Sequence, residues 1–107
     1  MKPVLIYITT ASEAEAKEIA RSLLEAHLIA AANIIPGAVS LFRWQGEVEE
    51  MPECLLVAKT REELAEAAVR QAEELHSYEC PGILVVPVAS GNRAYLDWIA
   101  AETAPLK

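Results

Sequence analysis

The topology of this chain follows from LIAAANIIPGAVSLFRWQGEVEEMPECLLVAKT, residues 28–60. Residues 28–44 form a long apolar segment typical of an extended strand, and Gln45-Gly46 predicts a tight hairpin turn into a second strand over residues 47–60. Proline cannot donate to a strand ladder and glycine tolerates unusual backbone angles, so Pro36-Gly37 predicts a bulge within the first strand. We therefore expect one long hairpin whose first strand is locally bent.

The second strand of this hairpin has two different halves. Its first half carries Glu47, Glu49, Glu50 and Pro52, which predicts an edge or protrusion in contact with solvent. Its second half, ECLLVAKT, is apolar and predicts a buried strand. The hairpin is thus expected to have a buried base and a solvated far end.

Two more strands are predicted outside the hairpin. They cover residues 3–9 (PVLIYIT) and residues 82–89 (GILVVPVA), and both are short apolar runs rich in β-branched side chains. Between the first strand and the hairpin, apolar residues recur at helical spacing over residues 12–27. Ser12 and Glu15 form a capping box, which predicts that this helix begins at Ser12.

Two further helices are expected after the hairpin. Thr60 and Glu63 resemble a second capping box, and apolar residues at helical spacing continue to about His76. A short last helix follows Asn92, a residue type that suits the position before the first helical turn. The chain therefore ends in a tail helix rather than in a strand.

The order of these elements predicts the fold class. Strand–helix–strand–strand–helix–strand with a short tail helix is the order of a ferredoxin-like α+β sandwich, and residues 1–107 fit one domain. Right-handed crossovers place both long helices on one face of the sheet. A sheet with one solvated face should alternate apolar and polar residues, but VLIYI, CLLVA and ILVV do not. We therefore expect an oligomer packed sheet to sheet, with the tail helix covering part of one face.

The composition excludes several classes of function. Hydrophobic residues make up 53% of the chain, yet no apolar run approaches the roughly 20 residues that span a bilayer. Sixteen acidic and nine basic residues give a net charge of −7, which argues against nucleic-acid and anionic-membrane partners. We recognise no signal peptide, and Cys54 and Cys80 are the two cysteines, so we expect reduced thiols and a cytoplasmic location.

Four motifs occur along the chain in a specific order. They are Asn33-Ile34-Ile35-Pro36-Gly37, Trp44-x-Gly46, Leu75-His76-x-Tyr78-x-x-Pro81 and Gly91-Asn92-x-x-Tyr95-Leu96-x-Trp98. Each motif alone is ordinary, but in this order they resemble the CutA proteins, the divalent-cation-tolerance family. Members of that family are ferredoxin-like and assemble as tight trimers through their sheets, so the resemblance implies a homotrimer.

The resemblance implies a binding function and no enzymatic reaction. The family is linked to tolerance of copper and other divalent cations, and copper is its usual ligand. We therefore expect a copper-binding homotrimer without turnover. Two alternatives stay open: a small-molecule or nucleotide sensor, as in the similar trimeric PII signalling proteins, and a structural trimer scaffold with incidental metal binding.

The chain departs from the family pattern at positions that concern metal binding. Ser77 stands where the family commonly has proline, and Gly82 stands where it usually has glutamate. Ala31 and Thr9 stand where relatives often carry cysteine. Because thiolates are the soft ligands that hold Cu(I), these substitutions are expected to weaken copper binding.

The candidate metal ligands are His76, Glu79 and Cys80, within ELHSYECPGIL at residues 74–84. Imidazole suits copper and zinc, a carboxylate can serve as a second ligand, and the Cys80 thiol could replace the missing ones. The alternative is structural. The residue before Pro81 avoids helical angles, so the helix ends near His76, whose charge or N–H would meet the free carbonyls, with Cys80 as a small buried side chain. A catalytic Cys80–His76 pair is disfavoured because the adjacent Glu79 carboxylate opposes formation of a thiolate.

Other titratable side chains are weaker candidates. His27, at the end of the first helix, is expected to be a surface or cap residue. Four acidic residues of the hairpin could gather hard cations, but a solvated protrusion that resists edge-to-edge aggregation is the simpler interpretation. These residues are Glu47, Glu49, Glu50 and Glu53.

A nucleotide site has little support in the sequence. The four glycines lack the spacing of a phosphate-binding loop, and the basic residues are scattered. Arg43, Lys59 and Arg93 are the cations that would matter if several subunits brought them into one cleft. Phe42 and Trp44 are predicted to share one face of their strand, most simply as core or interface residues.

Overall fold

The structure, a computed structural model, describes residues 1–104. Within these residues the chain forms, in order, β1 (Pro3–Thr10), α1 (Glu13–Glu25), β2 (Ala31–Trp44), β3 (Glu47–Arg61), α2 (Glu62–Leu75), β4 (Ile83–Pro87) and α3 (Arg93–Glu102). The strands pair antiparallel in one sheet, in the order β2-β3-β1-β4. This order confirms the predicted ferredoxin-like α+β fold with a short helix after the last strand.

The β2–β3 hairpin is built as its sequence predicts. The pairing shifts register between Ile35 and Ala38, so Pro36-Gly37 forms a bulge inside β2. Gln45 and Gly46 form the turn, and both have positive φ angles, 49° and 83°. A turn with two positive φ angles matches the twist of antiparallel strands, but it favours glycine or a similarly tolerant residue.

The two long helices cover one face of the sheet. Alternate residues of β1 point toward them, so Ile6 and Ile8 are fully buried, whereas Tyr7 between them is 37% exposed. Helix α1 contributes Ile19 and Leu23, which are also fully buried and belong to the same core cluster. The core of one chain therefore lies between this face and the helices.

The opposite face of the sheet, which we call the open face, is apolar and largely uncovered in a single chain. Tyr7, Leu84 and Val86 lie on it, and Leu84 and Val86 are 64% and 42% exposed. Helix α3 lies at one end of this face, where the Arg61 guanidinium donates to the Thr103 hydroxyl (3.0 Å). The apolar second face expected from the non-alternating strands is therefore present.

The far half of the hairpin, residues 38–52, extends beyond the helices, and we call it the arm. Its length makes the chain elongated, with principal dimensions of 46, 26 and 21 Å. The arm exposes apolar side chains as well as acidic ones, including Val39, Leu41, Phe42, Trp44 and Val48. The predicted protrusion is thus present, but it is much less polar than its acidic residues alone suggest.

One of the two predicted capping boxes is wrong. At α1, the Glu15 amide donates to the Ser12 hydroxyl (3.1 Å), as the sequence predicts. Thr60, in contrast, still belongs to β3 and is fully buried, and its hydroxyl donates to the carbonyl oxygen of Leu28 (2.8 Å). Because this hydroxyl joins β3 to the chain before β2, it does not cap α2, whose first helical residue is Glu62.

Candidate functional site

The predicted metal ligands lie in the segment that follows α2. His76 is the C-cap of α2, and its ψ angle of 140° turns the chain out of the helix. The next regular element, β4, begins at Ile83. His76, Glu79 and Cys80 therefore do not share a helix face, as the restriction on the residue before Pro81 predicts.

The His76 imidazole is held by two hydrogen bonds. Its Nε2 lies 2.8 Å from the carbonyl oxygen of Thr9 at the end of β1, and its Nδ1 accepts from the amide of Tyr78 (3.1 Å). A carbonyl oxygen only accepts, so we assign the proton to Nε2 and the lone pair to Nδ1 in a neutral ring. His76 ends α2 as expected, and its backbone N–H donates to the carbonyl oxygen of Glu73 (3.3 Å), but its ring reaches across to β1 rather than to the α2 carbonyls.

Tyr78 links the same segment to β3. Its hydroxyl donates to Oε2 of Glu53 (2.7 Å), and its ring centroid lies 4.8 Å from that of His76. Burial of the phenol raises the pKa of Tyr78, and the hydrogen bond to Glu53 and the charges of Glu53 and Glu15 raise it further. The hydroxyl therefore stays protonated, and remains a donor, at neutral pH.

Glu53 differs from the other acidic residues of its strand. The sequence grouped it with the solvated carboxylates of the protrusion, but it is only 8% exposed, so that prediction is wrong for this residue. It lies at the base of the hairpin, where β3 enters the sheet beside β1. The Tyr78 hydroxyl supplies the donor that a buried carboxylate requires.

Glu15 connects the segment to α1. Its two carboxylate oxygens accept from the amides of Ala11 (2.9 Å) and Ser77 (2.8 Å). Burial alone would raise the pKa of Glu15, but the hydrogen bonds from Ser77 and Ala11 outweigh burial and hold the pKa below its usual value. Glu15 is therefore ionised at neutral pH and ties the residue after His76 to the start of the first helix.

We call Glu15, Glu53, His76 and Tyr78 the edge cluster, because their hydrogen bonds hold residues 76–78 against the end of the sheet where β1 ends. Two carboxylates, a phenol and an imidazole are oxygen and nitrogen donors of the kind that divalent cations accept. The cluster is nevertheless already satisfied by its own hydrogen bonds. A cation could reach His76 Nδ1 only by displacing the Tyr78 amide.

Glu79 and Cys80 are exposed and do not form a common site with His76. Cys80 is a free thiol, and its exposure makes the expectation of a small buried side chain wrong. Across residues 1–104, no group of three or more His, Cys, Asp or Glu side chains is arranged to hold a metal ion. One chain therefore presents the three predicted ligands without assembling them.

The other sequence candidates fall where their patterns indicate. His27 is exposed at the end of α1, with a φ angle of 58° and its amide donating to the carbonyl oxygen of Leu24 (3.0 Å). Phe42 and Trp44 lie two positions apart in the same strand and pair with Glu49 and Glu47, so they share a face. These side chains do not contribute to the edge cluster.

Tyr78 and Glu15 were missed as site residues, and Glu53 was considered only as one of the acidic residues of the protrusion. Tyr78 stands two positions from His76 and belongs to the same motif, which was a usable signal. Glu53 directly precedes the apolar run of β3, so its position at the edge of a buried strand set it apart from Glu47 and Glu49. Glu15 gave no such signal, because its contact with Ser77 joins residues 62 positions apart.

Comparison with known proteins places this chain in one family. The family model described as "CutA1 divalent ion tolerance protein" matches residues 4–102. The chain belongs to the CutA1 family. The resemblance inferred from the four motifs is therefore confirmed.

Individual CutA relatives match over almost the whole chain. "Divalent-cation tolerance protein CutA" of Thermus thermophilus is 43% identical over 99 residues, which is 92% of this chain and 96% of that protein. "Protein CutA 1, chloroplastic" of rice is 34% identical over 94% of this chain but only 56% of its own length. The chain thus spans nearly all of the Thermus protein and about half of the longer plant relative.

Solved CutA structures have the same fold. The divalent cation tolerance protein of Thermus thermophilus superposes with a TM-score of 0.92 at 42% identity, covering 95% of this chain and 99% of that one. The Archaeoglobus fulgidus structure, named as a periplasmic divalent cation tolerance protein CutA, gives 0.91 at 38% identity, covering 94% and 98%. Within residues 1–104 of this chain, no helix has the length and apolar character needed to cross a membrane.

Proposed function

We propose that this CutA-family chain binds divalent cations, copper foremost, as a cytoplasmic homotrimer and without catalytic turnover. Family membership supports the cation, because the matched family and the Thermus relative are both named for divalent-ion tolerance. Two free cysteines support a reducing compartment, in which copper is handled as Cu(I) as well as Cu(II).

The homotrimer is supported by the surface that one chain leaves uncovered. Large apolar side chains continue from the open face onto the arm, including Tyr7, Leu84, Val86, Phe42 and Trp44. A contiguous apolar surface of this kind is unusual on a monomeric protein and is typical of a subunit interface. We therefore propose that copies of the chain bury the open face and the arm against each other.

The metal proposal rests on the conformation and residue types of the segment from His76 to Cys80. It leaves α2 as a non-helical turn and presents an imidazole, a carboxylate and a thiol in sequence order, beside the ionised Glu15. Imidazole and thiolate are ligands that copper prefers. Since one chain does not gather three of these groups, we propose that water or a neighbouring subunit completes the coordination of the ion.

Binding at His76 has a defined structural consequence. Nδ1 holds the available lone pair of the ring, and the Tyr78 amide occupies it. A copper ion held by Nδ1 would take the place of the Tyr78 amide, and the bond from Nε2 to Thr9 would orient the ring. The Tyr78 amide is thus a local reporter for occupancy of the proposed site.

A copper titration with a competing chelator tests this proposal. We expect saturable binding by the wild-type protein, a loss of about tenfold or more in affinity for His76→Asn, and a smaller loss for Cys80→Ser. The control is His27→Asn, because asparagine tolerates the positive φ angle at that exposed position. If His76→Asn and His27→Asn bind copper as tightly as the wild type, the His76 site is wrong. If none of the proteins binds above background, the chain is a scaffold.

A further inference from the structure

Lys59 lies on the open face of β3, far from the edge cluster. It pairs with Leu5 of β1, whereas the edge cluster lies beyond Thr9 at the other end of that strand. Its Nζ donates to Oδ1 of Asn33 on β2 and lies 5.7 Å from the centre of the Tyr95 ring on α3. The ammonium therefore sits in a corner formed by two strands and the tail helix.

This ammonium has neutral partners. The ion pairs found in residues 1–104 involve Lys17, Arg61 and Arg70, and none involves Lys59. Lys59 is half-buried, so its ammonium loses part of its hydration. Its partners are an amide oxygen and a ring face, and these stabilise a positive charge less than a carboxylate would. Arg61, two positions along the same face, is paired with Glu63 (3.6 Å), so the charge of this corner comes from Lys59. The corner is thus a locally positive site in a chain of net charge −7.

An aromatic surface adjoins this cation. The rings of Tyr95 and Trp98 on α3 are stacked, with centroids 5.6 Å apart and an interplanar angle of 26°. Both side chains keep an exposed portion, 38% for Tyr95 and 41% for Trp98. Lys59 therefore borders the Tyr95 ring, which stacks on Trp98, and both rings keep free surface.

From this arrangement we propose that Lys59, Asn33, Tyr95 and Trp98 form a binding site for a small anion that carries a planar ring. The anionic group bonds to Lys59 Nζ in place of the Asn33 oxygen, and the Asn33 amide nitrogen becomes a second donor. The ring of the ligand stacks on the exposed surface of Tyr95 and Trp98. The Lys59 ammonium favours an anionic ligand, and the stacked Tyr95 and Trp98 rings favour a ligand with a planar ring.

This site is independent of the proposed copper site. The two share no residue, and they lie at opposite ends of β1. A failed copper titration therefore leaves the anion proposal intact, and the reverse holds equally. The competing explanation is that a carboxylate of a second copy of the chain reaches Lys59 in the assembly.

The test is a titration of the whole 107-residue chain with three probes. Binding is monitored through the indole N–H signals in two-dimensional ¹H–¹⁵N NMR spectra. Benzoate carries both ring and charge, acetate only the charge, and benzyl alcohol only the ring. The chain has two tryptophans, Trp44 on the arm and Trp98 on α3, so the spectrum contains two indole signals. Trp98→Phe assigns the two signals.

We expect benzoate to shift the Trp98 signal to saturation, with acetate and benzyl alcohol binding about tenfold more weakly or worse. Lys59→Met should weaken benzoate binding by about tenfold or more, and Lys59→Arg should restore part of it. Lys17→Met, which removes an exposed lysine of α1, should leave binding unchanged. Equal responses to all three probes, no response at Trp98, or benzoate binding that survives in Lys59→Met would overturn the proposal.

Discussion

The Tyr78 hydroxyl donates a 2.7 Å hydrogen bond to the nearly buried carboxylate of Glu53, and this bond ties the turn after α2 to the third strand. The bond joins residues that are 25 positions apart in the chain. Together with the His76 bond to Thr9, it fixes a segment that would otherwise be a loose connection between α2 and β4. The order of this segment therefore depends on side chains rather than on regular secondary structure.

Tyr78→Phe tests the energetic role of that bond. The substitution removes the donor and leaves the Glu53 carboxylate without it, so we expect a loss of about 1–3 kcal/mol in the free energy of unfolding. Urea unfolding at a fixed protein concentration measures it. Tyr95→Phe removes the hydroxyl of an exposed tyrosine and serves as the control. Equal, small losses for both variants would show that the bond to Glu53 does not stabilise the fold.

Glu15 predicts a specific dependence of stability on pH. The pKa of Glu15 is lowered in the folded state. Its contribution to the free energy of unfolding is therefore fully present above the unfolded-state pKa of 4.5 and is lost as the pH falls through the folded-state pKa. Glu15→Gln should therefore destabilise the protein at pH 7 and have progressively less effect below pH 4.5. Urea midpoints between neutral and acidic pH measure this difference.

The control for that series is Glu18→Gln, which removes an exposed carboxylate from the same helix. It should change the midpoints little and without the acid dependence of Glu15→Gln. An effect of Glu15→Gln that stays constant from neutral pH to well below pH 4.5 would mean that the bonds to Ser77 and Ala11 do not favour the ionised carboxylate.

Leu84→Glu tests whether the open face is a subunit interface. Leu84 is 64% exposed in one chain, so a charge there should cost a monomer little, but a trimer would have to bury it. We expect this variant to sediment as a smaller species at micromolar concentration. Leu24→Glu places the same change on the exposed side of α1, away from the sheet, and should sediment like the wild type. Identical sedimentation of both variants and the wild type would contradict an assembly through the open face.

Gly46→Ala tests the hairpin turn that supports the arm. Gly46 has a φ angle of 83°, and a side chain with a Cβ atom is strained in that region by about 1 kcal/mol or more. We expect a corresponding loss of stability on urea unfolding. Gly91→Ala is the matched control, because an added Cβ would meet only the Leu96 side chain at ordinary contact distance, 3.4 Å. A Gly46→Ala protein as stable as the control would show that the turn tolerates other angles.

Most of the fold could be predicted from local sequence patterns. The apolar runs, the Gln45-Gly46 turn and the Pro36-Gly37 bulge each act within a few residues, so periodicity and turn chemistry predicted the strand order and the hairpin. Thr60 misled the capping prediction because its hydroxyl bonds to Leu28, 32 positions away. Hydrogen bonds between distant parts of the chain leave no local signature.

Because long-range hydrogen bonds leave no local signature, the sequence could predict only part of the candidate site. His76 stood out because histidine is rare in this chain and lies in a recognisable motif. Glu53 and Glu15 looked like solvated acids, because sixteen acidic residues share that appearance and only the tertiary contacts with Tyr78 and Ser77 distinguish these two. Residue types were thus enough to predict the segment around His76, whereas the side chains that contact this segment are known only from the fold.

Native mass spectrometry of the metal-stripped protein, with and without a slight excess of copper, tests whether the segment after α2 binds copper specifically. We expect a trimer that takes up a small, fixed number of copper ions, and the same trimer without ions for His76→Asn. A trimer that takes up no copper, or that gains a broad spread of adducts unchanged by His76→Asn, would contradict specific copper binding by the segment after α2.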